Sequence, residues 1–170
     1  MASAEVAVLM GSESDLPSME GAFSVFEEFG VPFEARVISA HRTPEVAAEF
    51  AASAEANGIK VVICAAGMAA HLAGAVAAKT TLPVIGVPMA CPPFDGMDAL
   101  LATVQMPPGI PVAAVTVGKA GGKNSALFAV SILALSDPAL AAKLKEYRVG
   151  MAGKVVEADK RVSKSRSKNA

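Results

Sequence analysis

Two histidines, His41 and His71, are the groups in this chain best suited to proton transfer. Imidazole can both donate and accept a proton near neutral pH, as general acid and base catalysis requires. Each histidine follows an apolar run, within the segments Ser-Ala-His-Arg-Thr-Pro (39–44) and Ala-Gly-Met-Ala-Ala-His-Leu (66–72). A lone histidine in an apolar stretch is more often a core residue, so the interpretation depends on the residues around the pair.

Other side chains in and near these segments suit a phosphorylated ligand. Residues 11–15, Gly-Ser-Glu-Ser-Asp, predict a turn leading into a helix, whose free N–H groups at the N-terminus favour an anion. Ser12 and Ser14 add hydroxyl donors, and Asp15 suits the hydroxyl groups of a sugar. The guanidinium of Arg42 is a planar fork of donors that fits phosphate. We therefore expect a phosphorylated small-molecule substrate; an ordinary helix cap at 11–15 and an exposed loop at 41–42 are the alternatives.

Short β-branched runs alternate along the chain with longer amphipathic or alanine-rich runs. They predict five strands, at 6–9, 33–38, 59–64, 83–87 and 112–117. Helices are predicted at 16–29, 44–57, 69–79, 96–104, 122–135 and 138–159. The alternation favours an α/β three-layer sandwich with a five-stranded parallel sheet and a C-terminal helix. If the first strand lies between the second and third, the polar motifs that follow these strands meet in one crevice at their carboxyl ends.

Three other segments carry less chemistry. Residues 118–124 resemble a phosphate loop in composition but lack its spacing, so we predict a turn there, with Asn124 already in the next helix. The segment Gln-Met-Pro-Pro-Gly-Ile-Pro (105–111) is interpreted as a rigid connector. The basic segment 160–170 is predicted to be a frayed tail after a single domain at 1–159.

Composition narrows the class of protein. With 170 residues and a net charge of −1, the chain is long enough for one well-packed domain and shows no sign of a nucleic-acid surface. Hydrophobic residues make up 53% and charged residues 18%, against usual shares of about 45–50% and about 25%. This balance favours a homo-oligomer, in which small-residue helices such as 69–78 could meet between subunits. The alternative is that the excess is simply alanine.

The two cysteines and the longest apolar stretch argue against a metalloprotein and a membrane protein. Cys64 and Cys91 have no Cys or His near them at metal-ligand spacing, so no metal site is predicted. Unpaired cysteines and no secretory leader favour a reducing, cytoplasmic setting. Residues 61–78 are long enough to suggest a membrane span. Because His71, two glycines and many alanines interrupt this stretch, we predict strand, turn and helix, and no membrane partner.

Taken together, the motifs closely resemble those of the 5-(carboxyamino)imidazole ribonucleotide mutase family of purine biosynthesis, once called the catalytic subunit of phosphoribosylaminoimidazole carboxylase. The resemblance runs from about residue 6 to residue 134. It rests on Met-Gly-Ser-Glu-Ser-Asp (10–15), the two histidine segments at 39–44 and 66–72, Leu-Pro-Val-Ile-Gly-Val-Pro (82–88) and Val-Gln-Met-Pro (104–107). Several long motifs in the family's order make chance similarity improbable.

The resemblance implies a flavodoxin-like fold and a homo-octamer whose active sites lie in clefts shared between subunits. It implies neither a metal ion nor an organic cofactor. On this pattern His41 is the catalytic acid and base, and we predict His71 as a second catalytic residue. The predicted substrate-binding residues lie in the same three motifs: Ser12, Ser14, Asp15, Ser39, Ala40, Arg42, Gly67, Ala70 and Leu72.

The implied reaction is an isomerisation. A carboxyl group would move from the exocyclic nitrogen of 5-(carboxyamino)imidazole ribonucleotide to the ring carbon, by decarboxylation and recarboxylation. Met68 and Ala73 stand where the family usually has Gly and Pro. One branch of the family carboxylates aminoimidazole ribonucleotide with free carbon dioxide; it has Lys after the first His and lacks the second His motif, so Arg42 and His71 favour the mutase. That carboxylase and a non-enzymatic nucleotide-binding module are the alternatives.

Overall fold

The apolar runs form one parallel sheet in the computed structural model of the chain, which describes residues 3–166. The strands are β1 (Val6–Met10), β2 (Phe33–Val37), β3 (Val61–Ala66), β4 (Val84–Pro88) and β5 (Ala113–Ala114). Their order across the sheet is β2-β1-β3-β4-β5, and each neighbouring pair is parallel. This is the flavodoxin-like order, with β1 between β2 and β3, so the predicted fold class is confirmed.

Helices follow the strands, and local signals set several of their ends. They are α1 (Leu16–Phe29), α2 (Pro44–Ser53), α3 (Leu72–Ala77), α4 (Met97–Val104), α5 (Gly118–Leu133) and α6 (Pro138–Arg166). Pro17 lies in the first turn of α1, and Gly30 ends that helix with a φ of 72°. Oδ1 of Asp137 accepts hydrogen bonds from the N–H groups of Ala139 and Leu140, at 2.9 and 3.0 Å, and so caps α6.

The sheet is buried on both faces. On one face α2 and α3 pack against side chains of β1, β3 and β4, among them Leu9, Val62 and Val84. Alternate strand residues such as Val8 and Ile63 point to the other face and are fully buried. Helices α1 and α5 cover that second face. The result is the three-layer arrangement in which the carboxyl ends of the strands share one open edge.

The described chain divides into two compact units, one ending at Ile132 and the other beginning at Leu133. The second unit contains α6, which passes the predicted end near residue 159 and continues to Arg166. The predicted helix end was wrong because no Gly or Pro interrupts residues 154–166, and the Glu157–Lys160 ion pair at 2.7 Å supports one further turn. Residues 167–170 of the predicted tail lie outside the described residues. A single domain over 1–159 stays a prediction.

Two elements differ from the predicted ones. The strand predicted at 112–117 is shorter in the structure and pairs with β4 only over Ala113–Ala114. The turn predicted from residue 118 is wrong because α5 already begins at Gly118, whereas the prediction that Asn124 lies in this helix is confirmed. Gly121 and Gly122 allow close packing there: an added Cβ would overlap the carbonyl oxygens of Thr116 and Ser18, respectively. No helix within residues 3–166 has the length and apolar character needed to cross a membrane.

Candidate active site

The loops after β1, β2 and β3 enclose a cavity of about 500 Å³ at the carboxyl edge of the sheet. All the predicted catalytic and substrate-binding residues line it. The crossover order explains this meeting, because parallel strands that neighbour one another deliver their following loops to the same edge. The structure therefore brings together residues that are far apart in sequence, while their individual roles stay predictions.

The two histidines form a hydrogen-bonded pair in this cavity. Nε2 of His41 lies 2.8 Å from Nδ1 of His71. The rings meet edge to face, with centroids 4.9 Å apart and planes inclined by 78°. One of the facing nitrogens must donate and the other accept, so a single proton lies between the two rings. Both side chains are exposed to the cavity and to solvent, and a ligand can reach them.

Arg42 is held at the border of the first two loops. Its Nη2 donates to the carbonyl oxygen of Gly11 at 2.6 Å, and its Nε donates to Oγ of Ser39 at 3.3 Å. The backbone N–H of Arg42 also donates to Ser39 Oγ, at 3.2 Å. Ser39 is itself fixed by Thr43, whose Oγ1 accepts from the Ser39 N–H at 3.1 Å. These bonds orient the guanidinium and leave its other N–H donors for an anionic ligand.

Ser12, Ser14 and Asp15 form a compact polar turn beside Arg42. The N–H of Ser12 donates to Oδ2 of Asp15 at 3.2 Å, and the N–H of Ser14 donates to Oγ of Ser12 at 3.3 Å. This capping box closes the single 3₁₀ turn Glu13–Asp15 rather than capping α1 with the Asp15 side chain. Burial raises the pKa of the Asp15 carboxyl, while the Ser12 N–H and the charge of Arg42 act in the opposite direction.

The loop after β3 supplies the small residues of the cavity wall. A tight turn is closed by the Ala70 N–H, which donates to the carbonyl oxygen of Gly67 at 3.0 Å. Met68 and Ala70 both have positive φ, at 56° and 43°. A Cβ at Gly67 would lie 2.7 Å from Sγ of Cys91, so a larger residue would displace the Cys91 side chain. The loop therefore begins with a glycine packed close to a neighbouring loop and continues in a conformation unusual for Met and Ala.

Sequence reasoning did not assign Cys91 or Met68 to the cavity, which both line. Cys91 follows β4, so the rule that loops after neighbouring strands share one edge was the available signal. In the sequence, Met68 stands out only as a departure from the family's usual Gly, because it carries no acid, base or hydrogen-bond donor. Within residues 3–166, no group of three or more His, Cys, Asp or Glu side chains is placed to hold a metal ion.

The fold and the cavity together define a doubly wound α/β protein with a polar turn and an arginine in the same cavity as a hydrogen-bonded histidine pair. A family model described as AIR carboxylase matches residues 5–154, and the chain belongs to this family.

Similar proteins support the assignment. The N5-carboxyaminoimidazole ribonucleotide mutase of Pyrococcus horikoshii is 52% identical over 157 residues, covering 92% of this chain and 88% of that protein. The protein of the same name from Bacillus subtilis is 51% identical, covering 89% and 94%. The crystal structure of Treponema denticola PurE superposes with a TM-score of 0.83 at 33% identity, covering 92% of this chain and 96% of that one.

Proposed function

We propose that the chain is a mutase of de novo purine biosynthesis, an isomerase that converts 5-(carboxyamino)imidazole ribonucleotide to 4-carboxy-5-aminoimidazole ribonucleotide. The observation that carries this proposal is the 2.8 Å pair of His41 and His71 in a cavity that Arg42 also lines. A nucleotide offers such a cavity a reacting ring for the histidines and a phosphate for the arginine. The similar proteins named as mutases, at about half identity over most of the chain, support the same reaction.

Proton transfer by His41 accounts for both halves of the reaction. The bond between the carboxyl carbon and the exocyclic nitrogen breaks, its electron pair stays on nitrogen, and His41 supplies the proton that this nitrogen takes up. The ring carbon then attacks the released carbon dioxide and forms the new carbon–carbon bond. Loss of the proton from that carbon to His41 restores the aromatic ring. Atoms balance without an oxidant or reductant, and the imidazole returns to its starting state.

We assign His71 to holding the imidazole of His41 in place. A ring nitrogen whose partner is fixed at 2.8 Å holds its ring in one orientation. His71 can also take up the shared proton while His41 acts on the ring. This second role makes it a catalytic residue and distinguishes it from a core histidine, which would be buried.

The remaining lining residues divide between the two ends of the substrate. We assign Ser12, Ser14, Asp15 and Arg42 to the ribose phosphate, with Ser39 holding Arg42 through the bonds described above. The small residues Ala40, Gly67 and Ala70, together with Leu72, enclose the ring and the carboxyl group. A tight wall of this kind keeps carbon dioxide next to the ring until the new bond forms.

We further propose that the enzyme is a cytoplasmic homo-octamer. The helix first expected to pair between subunits, α3, instead buries Leu72 and Val76 in the chain's own core. Exposed apolar residues lie on α4 and α6: Met97, Leu101 and Val104, and Val149, Val155, Val156 and Val162. Such surfaces favour self-association. The two free cysteines, Cys64 and Cys91, are consistent with a reducing compartment.

A turnover assay with two substrates tests the proposed function. The enzyme is given either 5-(carboxyamino)imidazole ribonucleotide, or aminoimidazole ribonucleotide with dissolved carbon dioxide, and formation of the 4-carboxy nucleotide is measured. We expect much faster turnover with the carboxyamino substrate. Faster turnover with free carbon dioxide would instead identify a carboxylase, and nucleotide binding without either reaction would identify a binding module.

A further inference from the structure

Met68 is both conformationally strained and exposed. It is the second residue of the turn that the Ala70 N–H closes onto Gly67, and its φ of 56° is one that glycine adopts freely and other residues rarely do. Its side chain is 64% exposed, so it contributes little to the core of this chain. A glycine would avoid the strain at this position. The fold itself therefore gives no reason for methionine here.

The position of Met68 gives a functional reason. The residue lines the cavity on the loop that also carries His71. Because the reacting ring must lie within reach of the His41–His71 pair, a side chain on this loop is placed to contact that ring. A thioether is soft and polarisable and makes favourable contacts with aromatic rings.

We propose that the side chain of Met68 covers the imidazole ring of the bound nucleotide and closes the cavity over the carbon dioxide released from it. This proposal rests on the proposed function and assigns a further specificity residue to that site. The contact exists only when the ligand is bound, which explains the exposed side chain in the free protein. Met68 then excludes water and retains the intermediate, while the histidines move the proton.

Two variants separate the effect of losing the Met68 side chain from the effect of relieving the backbone strain. Met68→Ala removes the thioether and keeps an unfavourable φ, whereas Met68→Gly removes both. We expect either variant to bind the 4-carboxy product nucleotide roughly 2- to 10-fold more weakly, the range for losing a thioether–aromatic contact. Affinity for ribose 5-phosphate, which has no ring, should be unchanged. Met151→Ala, at a 48% exposed methionine of α6, is the matched control and should change neither affinity.

Isotope exchange measures how well the cavity retains the released carbon dioxide. The enzyme converts unlabelled carboxyamino nucleotide in buffer containing ¹³C-bicarbonate, and the label in the product carboxylate is measured by mass spectrometry. If carbon dioxide escapes after the nitrogen–carbon bond has broken, the carbon–carbon bond does not form. Aminoimidazole ribonucleotide is then released, and labelled carbon dioxide can enter the cavity. We expect both Met68 variants to show severalfold more label and more released nucleotide than wild type. The midpoint of thermal unfolding of Met68→Gly should equal or exceed that of wild type.

Three results would overturn the proposal: product affinity unchanged in both variants, an equal loss of affinity for ribose 5-phosphate, or unchanged label in a turning-over enzyme. A lower unfolding midpoint for Met68→Gly would also count against it, because the side chain would then support the fold. If wild type does not convert the carboxyamino nucleotide, the proposed function fails. The two binding measurements still decide whether Met68 contacts the ring.

Discussion

At the scale of single residues, the proposed function assigns proton transfer and anion binding to different side chains. His41 and His71 share a hydrogen bond of 2.8 Å, whereas Arg42 and Asp15 belong to the loops assigned to the ribose phosphate. Substitutions in the two groups should therefore change different measured quantities. Those at the histidines should affect turnover, and those at Arg42 and Asp15 should affect affinity.

Replacing His41 by Asn should nearly abolish turnover while nucleotide affinity falls little. Asn fills similar space but cannot act as acid and base, and losing that help costs roughly 10²–10⁴-fold in rate. Steady-state turnover and titration with the product nucleotide measure the two effects. Activity above about a tenth of wild type would show that His41 is not the acid and base.

Replacing Arg42 by Ala should weaken product binding by about 1.5–3 kcal/mol, or roughly 10- to 150-fold, because a charge-assisted phosphate bond is lost. Titration calorimetry measures the change. Arg36→Ala is the matched control, since Arg36 lies 5.3 Å over the ring of Phe50 and does not line this cavity. Equal losses in both variants would indicate a general charge effect instead of a phosphate bond.

The buried carboxyl of Asp15 should lower the stability of the folded protein at pH 7 while supporting nucleotide binding. Because burial raises the pKa of its carboxyl, the folded state favours the protonated form, and ionisation costs stability as pH rises through the raised value. Asp15→Asn avoids this cost and keeps an oxygen for the Ser12 N–H. We expect a higher unfolding midpoint than wild type at pH 7, a difference that disappears near the ordinary carboxyl value of 3.8, and weaker nucleotide binding. A stability gain independent of pH would contradict this account.

At the scale of elements, the close approach of α1 and α5 positions the turn that we assign to the ribose phosphate. A Cβ on Gly122 would overlap the carbonyl oxygen of Ser18, in the first turn of α1. The capping box of Ser12 and Asp15 lies immediately before that turn. Packing at Gly122 is therefore coupled, through the first turn of α1, to the geometry of the turn that contains Ser12 and Asp15.

Gly122→Ala should destabilise the protein by about 1–3 kcal/mol, because the helices must separate to admit the methyl group. For a chain of this size, each kcal/mol lowers the unfolding midpoint by about 2–4 °C. Gly150→Ala is the control: Gly150 lies within α6 with nothing within 4 Å of an added Cβ. Alanine is the better helix former there and should stabilise by up to about 1 kcal/mol. An unchanged midpoint for Gly122→Ala would show that α1 and α5 adjust freely.

At the scale of the whole molecule, apolar surface remains after the core has formed. Met97, Leu101 and Val104 repeat at helical spacing on α4, and each is at least half exposed. Four valines of α6 are exposed as well. Burial of such surface between copies of the chain agrees with the low share of charged residues, 18%.

Light scattering at micromolar concentration should report about eight times the mass of the chain, as a homo-octamer requires. Leu101→Glu places a charge on the exposed face of α4 and should lower that mass, and activity should fall with it if neighbouring subunits complete the site. A monomer with full activity in the same experiment would disprove a shared site.

Local signals in the sequence determined much of the fold. Hydrophobic runs and their alternation with helices identified all five strands of the sheet, and Pro17 and Gly30 set the ends of α1. The start of α5 was predicted wrongly for a tertiary reason. Gly121 and Gly122 indicate a turn when considered alone, but in the protein they lie inside α5, where neighbouring carbonyl groups leave no room for a side chain. Propensity describes a residue's own backbone and carries no information about what packs against it.

For the site, the sequence by itself determined which residues could act as acid, base or anion ligand, because those properties belong to the side chains. It also indicated their common edge, since the loops after parallel strands meet there. Only the tertiary structure decided that His41 and His71, 30 residues apart, lie 2.8 Å from each other, and that Cys91 and Met68 line the cavity. Such contacts depend on strand order and on close packing between distant segments, and no local pattern of residues encodes those distances.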